Sequence, residues 1–165
     1  MELFAALAPF IFKMGTTLGA GSSTFALAFF IKALSDGVID QSERGLMHVV
    51  YAALRISMVL IAVGLVGLLW TREELPLAAY FMLWTLLSII TINGILMTRR
   101  LMPMRLGPVI AGASWYSIFF VSESFVDPST SYGMFWIYYI LFAIVFFVAF
   151  EILKSKFIAP IPPKP

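Results

Sequence analysis

The residues with most chemistry to offer are ionisable side chains set inside apolar runs. Lys13, Arg55 and Glu151 each stand within a long hydrophobic segment, and Glu123 closes another. A charged group at the centre of a bilayer costs about 2.5–3.5 kcal/mol even on insertion scales, so such residues pair with one another or mark a pathway. The first two segments can be set at matched heights with about 20 residues each in the hydrocarbon. Lys13 then lies about one turn from one surface and Arg55 about one turn from the other. Both can snorkel toward the interface. Glu123 falls near the depth of Lys13, and Glu151 near that of Arg55. Matching depth predicts two cross-helix ion pairs, Arg55–Glu151 in the inner leaflet and Lys13–Glu123 toward the outer. The inner pair either builds a substrate or proton site or fixes the register of two helices, and both readings stay open.

Uncharged polar residues form the second group. The first segment carries Gly15, Thr16, Thr17, Gly19, Gly21, Ser22, Ser23 and Thr24, and the third carries Thr85, Ser88, Thr91 and Asn93-Gly94. Hydroxyls and an amide at these places can replace the hydration shell of a solute. The expectation is a polar seam between the first three helices, lined by Thr16, Thr17, Ser23, Thr24, Ser88 and Asn93 and gated by Arg55 and Glu151. The same residue types also serve close packing: Gly15-x-x-x-Gly19 lets a neighbouring helix approach. Gly64 and Gly67, with Gly107, Ala111, Gly112 and Ala113, offer surfaces for that approach. Asn93 is placed to donate to Glu151 or to backbone carbonyls that Gly94 loosens.

His48 is the sole histidine and shares a face with Ala52 and Arg55 at spacings of four and seven. Haem or a metal needs further ligands, so no cofactor is expected. Asp36-Gly37-Val38-Ile39-Asp40-Gln41-Ser42-Glu43 matches the second half of a calcium-binding loop. The earlier ligand positions are Lys32 and Leu34, which cannot complete a cage of about 6–8 oxygens. Helix capping explains its glycine and acids. No nucleophile elbow, phosphate loop or zinc signature occurs, so the chain is expected not to be an enzyme.

The elements that must hold these residues follow from composition. Of 165 residues, 61% are hydrophobic and 12% charged, with a mean hydropathy of +0.97. About a quarter of a soluble domain is charged, so this surface is matched to lipid. There is no cysteine, which excludes disulfides and thiolate metal sites. A net charge of +2 does not suggest nucleic acid. Against a hydrocarbon core about 30 Å thick, the expectation is an all-α bundle of five transmembrane helices, spanning about 3–34, 46–70, 76–97, 107–122 and 132–153. Asp40 to Glu43 reads as a capping box, Pro76 as a first helical position and Asp127-Pro128-Ser129 as a turn. The fourth segment is the shortest and most polar. The first lacks a basic leading region and reads as a retained helix. Residues 1–159 form one membrane-embedded domain, and 160–165 a proline-rich tail.

With five spans, one side holds Lys32, Arg44, Arg99, Arg100, Arg105, Lys154, Lys156 and Lys164, and the other only Arg72. The positive-inside rule then places the N-terminus outside and the C-terminus in the cytoplasm. Trp70, Tyr80, Trp84, Tyr132 and Trp136 fall near the outer ends, where interfacial aromatics belong.

The glycine-rich first helix ending in Phe29-Phe30-Ile31-Lys32, followed by Asp36-Gly37-Val38-Ile39-Asp40 with Glu43 and a helix from Leu46, resembles the opening of small bacterial multi-span proteins grouped loosely with the copper-resistance-D-like families. Asn93-Gly94 and Pro103 resemble the next part of that pattern. The resemblance covers about half the chain and implies a prokaryotic plasma-membrane protein. Family members with redox or metal roles use several histidines, so no site is carried over. The expected function is binding or passage of a small solute or ion, as a homo-oligomer or within a larger membrane complex. The rival is an accessory or assembly subunit. A third reading is a haem-binding redox protein dimerised across His48.

Overall fold

The computed structural model describes residues 2–36, 40–71, 75–103, 106–123 and 130–157. They form five α-helices: α1 Glu2–Asp36, α2 Gln41–Thr71, α3 Leu77–Thr98, α4 Leu106–Ser122 and α5 Tyr132–Phe157. There is no strand among the described residues. Four helices are long and apolar enough to cross a membrane; α4 is apolar but has only 17 residues, about 25 Å of rise. The chain is therefore an all-α, membrane-type bundle. The half calcium loop lies partly outside the described residues, as do Asp127-Pro128-Ser129 and the proline-rich tail.

Sequential helices run antiparallel. Phe12 meets Gly64 and Gly15 meets Ile61 between α1 and α2. Asn93 meets Gly107 between α3 and α4, while Phe120 and Tyr116 meet Phe142 and Phe146 between α4 and α5. α1 and α4 are likewise antiparallel, with Lys13 meeting Glu123 and Gly19 meeting Trp115, and Phe30 of α1 stacks on Phe150 of α5.

The shortest helix is the hub. α4 packs against α1, α3 and α5 and buries Val109, Ala113, Trp115 and Ile118 together with Ser114 and Ser117. A helix covered by its neighbours meets little lipid, which lets it be shorter and more polar than they are. Hydroxyls of α4 and of its partners bond to one another inside the bundle, as buried polar groups must. Ser114 Oγ lies 2.9 Å from the Tyr139 hydroxyl of α5. Thr24 directs its proton to the Ala20 carbonyl and so accepts from Tyr116 Oη at 2.7 Å. α5 behaves oppositely: Ile137, Ile140, Leu141, Ile144, Val145 and Val148 are exposed, the outward surface that a spanning helix shows to acyl chains.

The helix ends follow capping rules. Asp40 Oδ1 accepts from the Glu43 amide at 2.7 Å, and Glu43 Oε2 accepts in return from the Asp40 amide at 3.2 Å, the reciprocal box that starts α2. The amide of Glu43, with the Ser42 hydroxyl at 2.7 Å, holds the Asp40 carboxyl below its ordinary range. Glu43 also takes Lys32 Nζ at 2.6 Å, tying α2 back to α1. α3 ends differently. Arg100 adopts φ 56°, its amide donates to Met97 O and that of Leu101 to Leu96 O. That is a Schellman cap with arginine where glycine is usual.

Candidate functional site

A cleft of about 620 Å³ is bounded by α2, α3 and α4. It exists because α2 and α3 hardly touch. α2 leans on α1 and α3 leans on α4, so the two diverge and Trp115 of α4 closes the floor between them. α2 supplies Tyr51, Leu54, Arg55 and Met58 to the wall. α3 supplies Ile90, Thr91, Asn93, Gly94, Ile95, Met97, Thr98 and Arg99, and α4 adds Ala111. The volume lies within the roughly 300–1,000 Å³ of small-molecule sites, which combine apolar walls with a few placed polar groups.

Asn93 is the polar group with most to decide. It is 3% exposed, and its Nδ2 donates to the Gly107 carbonyl of α4 at 2.8 Å. A carbonyl can only accept, so the end facing it is the nitrogen. The other end, Oδ1, is buried with no hydrogen-bond partner. Leaving such an acceptor unsatisfied costs about 1–3 kcal/mol. Asn93 thus donates to the Gly107 carbonyl of α4, and neither to Glu151 nor to a carbonyl of α3 freed at Gly94. Thr91 and Thr98 bond back to the carbonyls of Leu87 and Gly94 in their own helix, so their protons are taken.

Arg55 and Arg99 border the cleft, and neither is in an ion pair among the described residues. The expected Arg55–Glu151 pair does not form. α2 and α5 make no contact, because α1 and α4 stand between them; equal depth sets height along the axis but not position around it. Arg55 is exposed on the cleft side of α2, while Glu151 is half-buried on α5. The structure does bring Lys13 and Glu123 together, Nζ to Oε2 at 3.3 Å, at the opposite end of the bundle.

The other expected seam residues scatter. Thr16 and Ser23 are buried, whereas Thr17, Thr24 and Ser88 are exposed. Thr16 and Ser88 bond to carbonyls of their own helices. Of the six, only Asn93 lines the cleft. Gly15 and Gly19 act as contact points instead. A Cβ at Gly15 would lie 2.9 Å from Ile61 N, and one at Gly19 would run into the Trp115 ring. No passage fits between α1 and α2, since a Cβ at Gly64 would lie 2.7 Å from Phe12 Cα. His48 is exposed on the first turns of α2. Among the described residues no group of three or more histidines or acids is placed to hold a metal.

Sequence reasoning left Tyr51 and Trp115 out of the site. Tyr51, Arg55 and Met58 recur at spacings of four and three, one face of a helix, as do Thr91, Gly94 and Thr98. That signal was readable, but nothing in it says the two faces confront each other. No family model, curated protein or solved structure matches this chain.

Proposed function

We propose that this chain is a non-catalytic, multi-pass protein of a prokaryotic plasma membrane that binds a small solute in the cleft between α2, α3 and α4. The observation that carries the reading is the cleft itself, of ligand size and apolar-walled, bordered by Arg55 and Arg99, neither of which is in an ion pair among the described residues. Binding fits better than passage, since the glycine-lined α1–α2 contact leaves no bore. The excess of Lys and Arg at the end of the bundle shared by Arg99 and Lys32 supports a cytoplasmic position for that end, with the N-terminus outside. The copper-resistance-D-like resemblance of the first helices supports the prokaryotic assignment.

Native mass spectrometry of protein released from its own membrane tests the reading. A retained non-protein mass is expected, and Gly94→Leu should lose it, because a side chain at Gly94 meets nothing within 4 Å and projects into free space. The reading is sunk if the wild-type protein carries no such mass, or if the Gly94→Leu protein keeps it.

A further inference from the structure

We infer that the occupant of this cleft is an anionic phospholipid, such as phosphatidylglycerol, whose phosphate Arg55 and Arg99 hold. The inference rests on the binding reading above and gives the ligand its chemical class.

Charge comes first. Two guanidinium groups border one cleft, neither joined to a carboxylate among the described residues. Arginine forks fit phosphate oxygens in pairs. Their positions suit a headgroup: Arg99 caps the end of α3, and Arg55 lies on the antiparallel α2 at the same end of the bundle. Basic pockets between helices on the basic side of a membrane protein bind phospholipid headgroups in this manner.

The remaining wall sets the source. Leu54, Met58, Ile90, Ile95 and Met97 make it apolar, and Ile95 itself is exposed at the rim. That surface continues into helix faces built to meet acyl chains. A free water-soluble phosphate ester would leave this wall uncovered. A phospholipid covers it, with the headgroup and upper chain inside and the rest lying along the bundle.

The test uses the full chain in mild detergent, titrated with single lipids and read by native mass spectrometry. Phosphatidylglycerol is anionic, phosphatidylcholine has no net charge, and glycerol phosphate has the headgroup without chains. Retention of phosphatidylglycerol should exceed that of phosphatidylcholine roughly tenfold. Arg55→Gln should shrink that margin. Gly94→Leu should abolish retention, and Lys13→Gln, at the far end, should leave the margin unchanged. The lipid assignment is overturned by equal retention of the two lipids, or by glycerol phosphate binding as well as phosphatidylglycerol does. It is also overturned, with solute binding intact, if the mass retained from native membranes depends on the cleft but is not a phospholipid. If no retained mass depends on the cleft, the binding reading falls as well. The lipid comparison within the wild-type chain needs no variant, so a misfolded mutant cannot decide the matter.

Discussion

Helix α2 has two neighbours and treats them in opposite ways. Toward α1 it presents Gly64, Ile61 and Leu60, and the backbones come so close that a Cβ on Gly64 would lie 2.8 Å from Phe12 N. Toward α3 it presents Tyr51, Arg55 and Met58, and the helices part to leave a cleft. Lipid offers no hydrophobic drive to press two helices together, so close contact forms where small residues let backbones meet. Where bulky and charged residues stand opposite each other, a gap survives. The contrast also separates two kinds of glycine. Gly15 and Gly64 are glycine because a neighbour occupies the space, while Gly94 faces none.

The largest expected effect breaks the closed side. Gly64→Leu must displace the backbone of α1 as well as side chains. Overpacking typically costs about 1–3 kcal/mol and more when backbone must move, so Gly64→Leu should lose about 3 kcal/mol or fail to yield folded protein. Unfolding in detergent, followed by size-exclusion profile and helical circular dichroism, measures it. A variant as stable as the wild type would mean that α1 and α2 are not in backbone contact.

How much of this was legible in the sequence follows the same division. Five apolar runs, four of them of spanning length, with polar breaks between them give the helices almost directly, because the bilayer fixes a length that a reader can count. The Lys13–Glu123 contact was within reach because both residues lie near the same surface. Arg55–Glu151 met the same depth criterion and does not form. Depth is one coordinate, and the angular position around the bundle was missing. In lipid every face of α3 and α5 is apolar, so no periodicity marks which side is buried. The seam expectation failed to gather around one space for that reason. Thr16 and Ser88 satisfy themselves on their own helices, and polar residues in lipid announce a need for bonds without announcing a cavity. The role of α4 was equally hidden, since its short length and serines weakened it as a span while its burial made it the hub.

Helix ends sharpen the comparison next. The α1–α2 side is closed by a satisfied capping box, whereas α3, on the open side, ends with Arg100 at φ 56°. A non-glycine residue there carries strain of order 1–3 kcal/mol, so Arg100→Gly should stabilise the protein by about 1 kcal/mol after the entropy of glycine in the unfolded chain is counted. Thermal unfolding in one detergent reads it, and a destabilised variant would show that Arg100 makes a bond worth more than its strain.

At the other end of α2 the prediction is a pH dependence. The Asp40 carboxyl is held below its ordinary value of 3.8 by the Glu43 amide and then the Ser42 hydroxyl. A lowered folded-state value means its contribution is present above that ordinary value and is lost as pH falls through the folded one. Asn caps a helix about as well as Asp but does not titrate. Asp40→Asn should therefore unfold at a slightly lower temperature than the wild type at neutral pH, and the difference should shrink as pH falls below 3.8. Curves that stay parallel at all pH values would remove the charge from the cap's account.

Ion pairs give a smaller test of which helices meet. Lys13 is 59% exposed at its side chain and its Glu123 partner 28%, so water screens them. A double-mutant cycle of Lys13→Met and Glu123→Gln should give a coupling of about 0.2–1 kcal/mol, which high salt should weaken. The same cycle on Arg55 and Glu151 should give none, because α1 and α4 separate their helices. A coupling there equal to the first would place α5 against the cleft and redraw the bundle.

The smallest expected effect bears most directly on the contrast. Gly15→Ala and Gly94→Ala add the same methyl group to glycines inside long helices, and helix propensity favours alanine at both. At Gly15 the new carbon meets Ile61 N and Leu60 Cβ, each at 2.9 Å, and the two helices must separate. At Gly94 it meets nothing within 4 Å, so stability should stay within about 0.5 kcal/mol of the wild type. The pair of variants holds chemistry and secondary structure constant and changes only whether another helix is there. If Gly94→Ala destabilises as much as Gly15→Ala, α3 closes against a neighbour and the cleft is not open space. If Gly94→Ala is neutral while Gly94→Leu loses the retained mass, the same glycine has been shown to matter for what enters the cleft and not for holding the helices together.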